Sequence, residues 1–336
     1  MKGNNLKIAV IGSGSIGKRH IRNFKDILGT RGEVIAFDVS KDALAIVEKE
    51  IGVRTTTDID AALKEADAAV IATPNHLHVP LALKAVDNNC HVLIEKPLSH
   101  TLENVDILLN KAKAKNLIVT CGYMLRFYEP LKRVKQLIES GALGKIYGAQ
   151  IHAGYYLPDW RPTIDYRKNY GAIKAQGGGI ILDSIHELNY TKWLLGPVKK
   201  VSCFANKLSN LEIDTEDFGS IIAEHQSGTI SHIQLDYLQR AYSRSCKIIG
   251  EHGTVIWNFT DHRVKHYDAA TKTWSSTRMD NFDFNTTYRA EEEHFVKCIE
   301  GKEKPVVTGE EARDDVALAL AALESAEKQQ VINFKQ

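Results

Sequence analysis

In the first third of the chain, short apolar runs alternate with longer stretches whose apolar positions recur every three or four residues. Leu6 to Ile11 is a run of the first kind, and Ile21, Phe24 and Leu28 carry helical spacing from Lys18 to Leu28. Between them lies Gly12-Ser13-Gly14-Ser15-Ile16-Gly17. Further runs follow at Glu33–Phe37, Ala68–Ala72, His91–Ile94 and Leu117–Cys121, separated by helical spacing around Ala43, Leu44 and Val47, then at Val79–Val86 and Thr101–Ala114. Short unbroken apolar runs mark strands buried on both faces, and a period near 3.6 marks helices. Their alternation predicts a parallel sheet with helices on both sides.

The pattern changes after Gly122. A helix is predicted from Glu129 to Ser140, closed by Gly141 and Gly144. Beyond it, segments alternate with period two: in 229–237, Ile233, Leu235 and Tyr237 point one way while His232, Gln234 and Asp236 point the other. Such alternation belongs to antiparallel sheets packed on one face only. Ile146–Tyr156, Lys200–Asn206, Phe218–His225, Ser245–Ile249 and Val255–Phe259 are further strands, with hairpin signals at Ser227-Gly228 and His252-Gly253. Val316, Leu320 and Leu323 give the C-terminal helix a packing stripe. The expected fold is α/β: a doubly wound parallel sheet in 1–123, then an α/β domain with a mainly antiparallel open sheet in 124–336. The outer face of such a sheet needs cover, so a homo-oligomer, dimer or tetramer, is expected.

Composition narrows the partners. The 336 residues suffice for two cores, and a formal charge of +1 with 25% charged residues gives no reason to expect nucleic acid or an anionic membrane. A small molecule is the expected partner. No stretch reaches the roughly 18 apolar residues of a membrane span, and Met1 to Asn5 lead into a strand without the apolar core of a signal peptide. Five cysteines (Cys90, Cys121, Cys203, Cys246, Cys298) lie far apart and are odd in number, as reduced thiols of a cytoplasmic protein would be.

The glycine turn carries the first candidate chemistry. In a strand–turn–helix unit, Gly12 permits the tight turn, Gly14 lets backbone approach a pyrophosphate, and Gly17 lets helix and strand pack closely. The phosphates would sit on the free N–H groups at the helix start. Asp38 ends the second strand 21 residues after Gly17, near the spacing expected for the acid that binds the adenosine ribose. A carboxylate there accepts from a free 2′-hydroxyl and repels a 2′-phosphate, which favours NAD, although Lys41 keeps NADP open. The alternative role for Asp38 is the cap of the next helix. Ligands of such sheets lie beyond the carboxyl ends of the strands, where Thr73, Pro74, Asn75, His76, His78, Glu95 and Lys96 also fall. His76 and His78 are two apart with no third ligand nearby, so no metal is expected.

In the second half, residues 155–170 hold five aromatics and three cations, a composition suited to a substrate lid or to a solvated surface loop. Flat rings cover sugar or base faces, and Arg161 and Arg167 can fork a carboxylate or phosphate. After Gly177-Gly178-Gly179, a helix is expected to run to Leu195, with Asp183 and His186, three apart, on one face. They read equally as a carboxylate–imidazole pair or as a helix cap and a core histidine.

The glycine turn followed by His20, Ala72-Thr73-Pro74-Asn75 with His78, Glu95-Lys96-Pro97, Gly122 to Phe127 and Gly177 to His186 together resemble the oxidoreductase family named for glucose-fructose oxidoreductase, inositol dehydrogenase and a rhizopine-catabolism protein (Gfo/Idh/MocA). The ordered set spans nearly the whole chain and is specific, although no single motif is. The resemblance implies an N-terminal Rossmann domain, a C-terminal α/β domain whose open sheet makes oligomer contacts, and NAD(P)-dependent oxidation or reduction of sugars and polyols. It implies Lys96 as the catalytic lysine, Asp183 and His186 as its partners, and Asn75 and Glu95 on the cofactor side. One departure stands out: many members space the aspartate and histidine by four and place a second aspartate three after the histidine, whereas here the spacing is three and that place holds Asn189.

The expected reaction passes a hydride between NAD and a hydroxyl-bearing carbon of a sugar, while Lys96 or His186 moves the hydroxyl proton. The expected cofactor set is Gly12, Ser13, Gly14, Ser15, Ile16, Gly17, Asp38, Thr73, Pro74, Asn75, His78, Glu95 and Lys96. The expected substrate contacts are Arg126, Tyr156, Trp160, Arg161, Tyr166 and Arg167. The loop composition resembles members from surface-polysaccharide and unusual-sugar biosynthesis, which implies acidic or nucleotide-linked sugars. The rival readings are an NAD-dependent glycosidase working by transient oxidation, and a cofactor-binding sensor without turnover.

Overall fold

Six strands pair in parallel in the order β3-β2-β1-β4-β5-β6: β1 (Leu6–Ile11), β2 (Gly32–Phe37), β3 (Arg54–Thr56), β4 (Ala68–Ile71), β5 (His91–Glu95) and β6 (Val119–Gly122). The protein is described here from a computed structural model covering residues 5–162, 164–280 and 282–334. Residues 1–4, read above for a targeting signal, and Thr163 of the aromatic loop lie outside them. Helices α1 (Ser15–Leu28), α2 (Lys41–Ile51), α3 (Ile59–Glu65), α4 (His78–Asp87) and α5 (Val105–Ala114) connect the strands. Ile8, Ala9, Val10 and Ile11 are fully buried because β1 sits between β2 and β4 with helices on both faces. The chain reverses its strand order there, which opens a crevice at the carboxyl end of β1.

The chain divides into two units, Met1–Tyr123 with Tyr288–Arg313, and Met124–Thr287 with Asp314–Gln336. The sequence reading placed everything after 123 in the second domain. The return of 288–313 to the first unit has a physical cause: Phe295 and Val296 are buried in its core, and the Phe295 ring meets Phe24 edge-on at 6.5 Å.

The second unit is built on a nine-stranded sheet ordered β14-β13-β12-β11-β7-β10-β9-β8-β15. In chain order its first elements are α6 (Glu129–Glu139), β7 (Ile146–Tyr156), α7 (Leu157–Trp160), α8 (Ile180–Asp183) and α9 (His186–Leu195). The strands β8 (Val198–Asn206), β9 (Phe218–His225), β10 (Ile230–Asp236), β11 (Leu238–Gly250) and β12 (Gly253–Asn258) follow. Then come β13 (Arg263–Asp268), β14 (Thr273–Arg278), α10 (Asn285–Ile299), α11 (Gly309–Lys328) and β15 (Ile332–Asn333). Among the described residues of this sheet only β7 and β10 pair in parallel; the remaining pairs are antiparallel. One face is buried through Ile151, Ile221, Ile233, Leu235, Ile248 and Trp257, while Tyr147, Phe204, Ile222, Ile230 and Ile249 stay exposed.

Two expectations change. Strands β13 and β14 were not foreseen, because an edge strand such as β14, exposed at all six positions, has no apolar alternation to reveal it. The C-terminal stripe also shifts: Val316 is buried, but Leu320 and Leu323 are half-buried, and Asp315, Ala319, Ala322 and Ser325 occupy the inner face instead. Asp315 and Ser325 enter that face because each has buried hydrogen bonds, Ser325 Oγ accepting from the Cys203 amide at 3.0 Å.

Since Phe295 anchors the returning segment, Phe295→Ala should destabilise the first unit by about 3–5 kcal/mol, read as a fall in its unfolding midpoint.

Candidate active site

The glycine turn is held by close backbone approaches. Gly12 has φ +101°, its N–H donates to Phe37 O at 2.9 Å, and an added Cβ would meet the Ala72 carbonyl oxygen at 2.5 Å. A Cβ on Gly17 would lie 1.9 Å from Gly12 O, so α1 can leave the turn this closely only without a side chain. Around Gly14 an added Cβ would meet nothing within 4 Å. Space is therefore kept at the start of α1, where backbone N–H groups point outward.

Asp38 closes the turn: Oδ2 accepts the Ser13 N–H at 2.7 Å and Oδ1 the Ser40 N–H at 2.8 Å. The cap of α2 is Ser40, not Asp38. A carboxylate has about four acceptor positions, so two remain for a ribose diol. At the end of β4, Thr73 Oγ1 is buried and finds no hydrogen-bond partner among the described residues. An open cradle at Gly14, a carboxylate with acceptors to spare and an orphaned hydroxyl fit a dinucleotide. His78 ties the neighbouring turns together, with Nε2 2.8 Å from Thr73 O and Nδ1 2.7 Å from Pro97 O. Asn75 is buried beside it in sequence.

Lys96 leaves the end of β5 half-buried, joined to Pro97 by a cis peptide. Glu95 is buried and accepts twice: Oε2 from the Lys96 backbone N–H at 3.1 Å, and Oε1 from His20 Nε2 at 2.8 Å. The other ring nitrogen of His20 meets Glu292 Oε1 at 2.6 Å. Burial alone would pull this imidazole down, but the hydrogen bonds to Glu292 and Glu95 raise it to about 10. Both ring nitrogens therefore donate. Burial pushes Glu95 upward, yet the His20 hydrogen bond and charge outweigh it and hold this carboxyl below its usual range.

In the second unit the expected single helix is broken. Asp183 ends α8 and His186 begins α9, with Ser184 and Ile185 as a turn between them. The expectation of one continuous helical face for Asp183 and His186 is thereby corrected. The Asp183 carboxylate instead receives three phenol hydroxyls: Tyr155 at 2.5 Å and Tyr237 at 3.1 Å on Oδ2, and Tyr170 at 2.9 Å on Oδ1. Burial, followed by the charge of Asp183, raises Tyr155 and Tyr237 well above the usual phenol range, which keeps them as donors. His186 is buried. Its neighbour Glu187, fully buried, takes the guanidinium of Arg244 at 2.8 and 3.3 Å.

Described residues of the aromatic loop pack against this cluster and its neighbours. Trp160, half exposed, lies against Tyr155 at 4.4 Å and Tyr242 at 5.6 Å, and the Arg240 guanidinium covers Tyr156 at 3.6 Å. Tyr166 accepts the Glu212 N–H at 3.2 Å. Arg167, expected as an anion clamp, spends its fork on Asp165 and Glu212. Arg126 is buried with its guanidinium 4.6 Å over Trp193. Arg161 pairs with no carboxylate among the described residues.

Comparison with known proteins decides the family. Residues 6–123 match the family described as "Oxidoreductase family, NAD-binding Rossmann fold", and residues 131–256 match the GFO/IDH/MocA C-terminal domain. The chain belongs to the Gfo/Idh/MocA oxidoreductase family. It is 26% identical to myo-inositol 2-dehydrogenase of Thermotoga maritima over 98% of this chain and 99% of that protein. A levoglucosan dehydrogenase in complex with NADH and L-sorbose shares the fold with a TM-score of 0.90 at 18% identity, covering 99% of each chain. The WlbA dehydrogenase of Bordetella pertussis, in complex with NADH and UDP-GlcNAcA, does so at 0.83 and 24%, again over 99% of each.

The departure from the Gfo/Idh/MocA pattern at Asn189 has a structural partner. Its Nδ2 donates to the buried Asp315 Oδ2 at 2.7 Å, and Lys192 Nζ lies 2.8 Å from Oδ1 of the same carboxylate. An aspartate at 189 would place two carboxylates together out of water. The residues that sequence reasoning missed are Glu292, Asp315 and the three tyrosines as a set. Glu292 sits in the run Glu291-Glu292-Glu293, which reads as a solvated helix face, and its partner is 272 positions away.

Asn189→Asp should therefore destabilise the protein by about 3–5 kcal/mol in denaturant unfolding. His20 supplies the basic-side pH dependence. Its folded pKa stands above the ordinary 6.5, so its stabilisation is complete below 6.5 and is lost as pH rises toward 10. Unfolding midpoints of the cofactor-free protein should fall across that window, and less steeply in His20→Gln.

Proposed function

We propose that this Gfo/Idh/MocA enzyme oxidises or reduces a hydroxyl-bearing carbon of a sugar or sugar derivative, with NAD as redox partner and Lys96 as the group that moves the hydroxyl proton. The observation that carries the reading is the carboxyl edge of the parallel sheet. The Gly12–Gly17 turn, Asp38, Thr73 and Lys96 stand at the ends of β1, β2, β4 and β5, so a dinucleotide cradle and an amine share one edge. NAD, when bound, supplies the hydride chemistry. Asp38 and the amides opening α1 would hold its adenosine half, with Thr73, Asn75, His78 and Glu95 on the cofactor side.

The second unit is assigned the substrate. His186 is a second proton-handling group, and Asp183 an electrostatic one, since three phenols fill most of its acceptor positions and leave little basic capacity. The exposed ring of Trp160 would cover a sugar or base face, with Tyr156 and Tyr166 beside it in the loop. Arg161, without a carboxylate partner among the described residues, would meet an acidic group, a role that Arg167 and Arg126 are poorly placed to share. An acidic or nucleotide-linked sugar suits this set, and the UDP-GlcNAcA held by WlbA is of that class. The exposed face carrying Phe204, Ile222 and Ile230 supports assembly of identical chains through the open sheet. Five free, buried cysteines support a reducing, cytoplasmic setting.

Purified protein should produce a net change in nicotinamide absorbance with NAD and a member of a panel of free, phosphorylated, acidic and nucleotide-linked sugars. Lys96→Ala should lower kcat by about 100- to 10,000-fold while NAD affinity, read by fluorescence titration, is kept. Near-normal turnover in that variant would sink the assignment, and product formation without net NADH would favour the glycosidase reading.

A further inference from the structure

The deepest charge cluster of the first unit lies behind the proposed lysine rather than beside the substrate. His20, wholly buried in α1, holds Glu292 of α10 at 2.6 Å on one ring nitrogen and Glu95 of β5 at 2.8 Å on the other. Glu95 in turn accepts the Lys96 N–H through its second oxygen. Glu291 and Tyr288 on α10 also face this ring among the described residues, and the Arg19 guanidinium of α1 lies 4.4 Å over Tyr288.

We propose that His20 and Glu292 are positioning residues for Lys96: a buried carboxylate–imidazolium–carboxylate chain that fixes the Glu95 side chain and, through it, the Lys96 backbone. The geometry gives the reason. A buried carboxylate with one free oxygen can rotate, whereas Glu95 is held at both oxygens by donors on different elements. A doubly protonated ring donates to both carboxylates at once, whereas a neutral ring, with a single N–H, would need one of the two carboxyls to be protonated. Burial followed by the Glu95 charge raises Glu291 well above the usual carboxyl range, and burial raises Glu292 too, against the lowering by its hydrogen bond to His20. Catalytic rate is sensitive to such support, because a displacement of about 1 Å can cost about 100-fold.

The proposal rests on Lys96 as the proton-moving group, and the test separates the two. Nitrogen NMR of the cofactor-free protein should show two protonated ring nitrogens on His20 at about pH 8, well above the ordinary histidine range. Glu292→Gln, which keeps shape and removes charge, should reduce them to one. The same variant should lower kcat about 10- to 100-fold with KM for NAD within about threefold, and should add nothing in a Lys96→Ala background. Glu292→Asp should restore the imidazolium and part of kcat, and it serves if Glu292→Gln does not fold. A neutral His20 at that pH overturns the proposal. So does an unchanged kcat in Glu292→Gln, or a loss that adds fully to that of Lys96→Ala. Turnover retained in Lys96→Ala alone would remove the lysine assignment while leaving the NMR result to stand or fall by itself.

Discussion

A charged group withdrawn from water must find a counter-group or lose its charge, and this constraint organises both units. In the first, His20 stands between Glu95 and Glu292, and the hydrogen bonds between them raise the imidazole to about 10 and hold Glu95 below the usual carboxyl range. In the second, three phenols surround Asp183, Arg244 pairs with Glu187, and Asn189 with Lys192 divides the two oxygens of Asp315. Each cluster joins elements far apart in sequence. Apolar packing gathers the elements, and the buried polar pairs set which side chains meet.

The chemistry of the first unit follows from where a parallel sheet leaves its ligands. Strand order 3-2-1-4-5-6 brings the glycine turn, Asp38, Thr73 and Lys96 to one edge without any side chain having to reach far. The second unit uses a sheet of the other kind, covered on one face and open on the other, with the aromatic loop folded onto Asp183 rather than loose above it. The loop is accordingly tied into the packing: Tyr155 both holds Asp183 and supports Trp160.

Strands with strong periodicity were legible in the sequence almost to the residue, Ile146–Tyr156 and Phe218–His225 among them, as were the glycine turn and its acid. These signals are local: a period of two or 3.6, or a glycine where a Cβ has no room. Strand β14 was illegible because an exposed edge imposes no pattern. The break between Asp183 and His186 was hidden because Ser184 and Ile185 are ordinary helix residues, while the three tyrosines that meet Asp183 lie 13, 28 and 54 positions away. The meaning of Asn189 required Asp315, 126 positions on. Long-range polar pairs leave no trace in composition or spacing, so the supporting groups behind the site were the part that needed coordinates.

The attachment of 288–313 to the first unit also bears on how the protein is made. A ribosome releases the six parallel strands early, but the helix that carries Phe295 and Glu292 emerges only after the whole nine-stranded sheet has been synthesised apart from its last short edge strand. Until then Phe24 lacks a neighbour and the His20–Glu95 pair lacks its second carboxylate. The cofactor-binding unit is begun before the other and completed only at Arg313, so a nascent chain cannot complete its dinucleotide domain before most of the second unit has been synthesised.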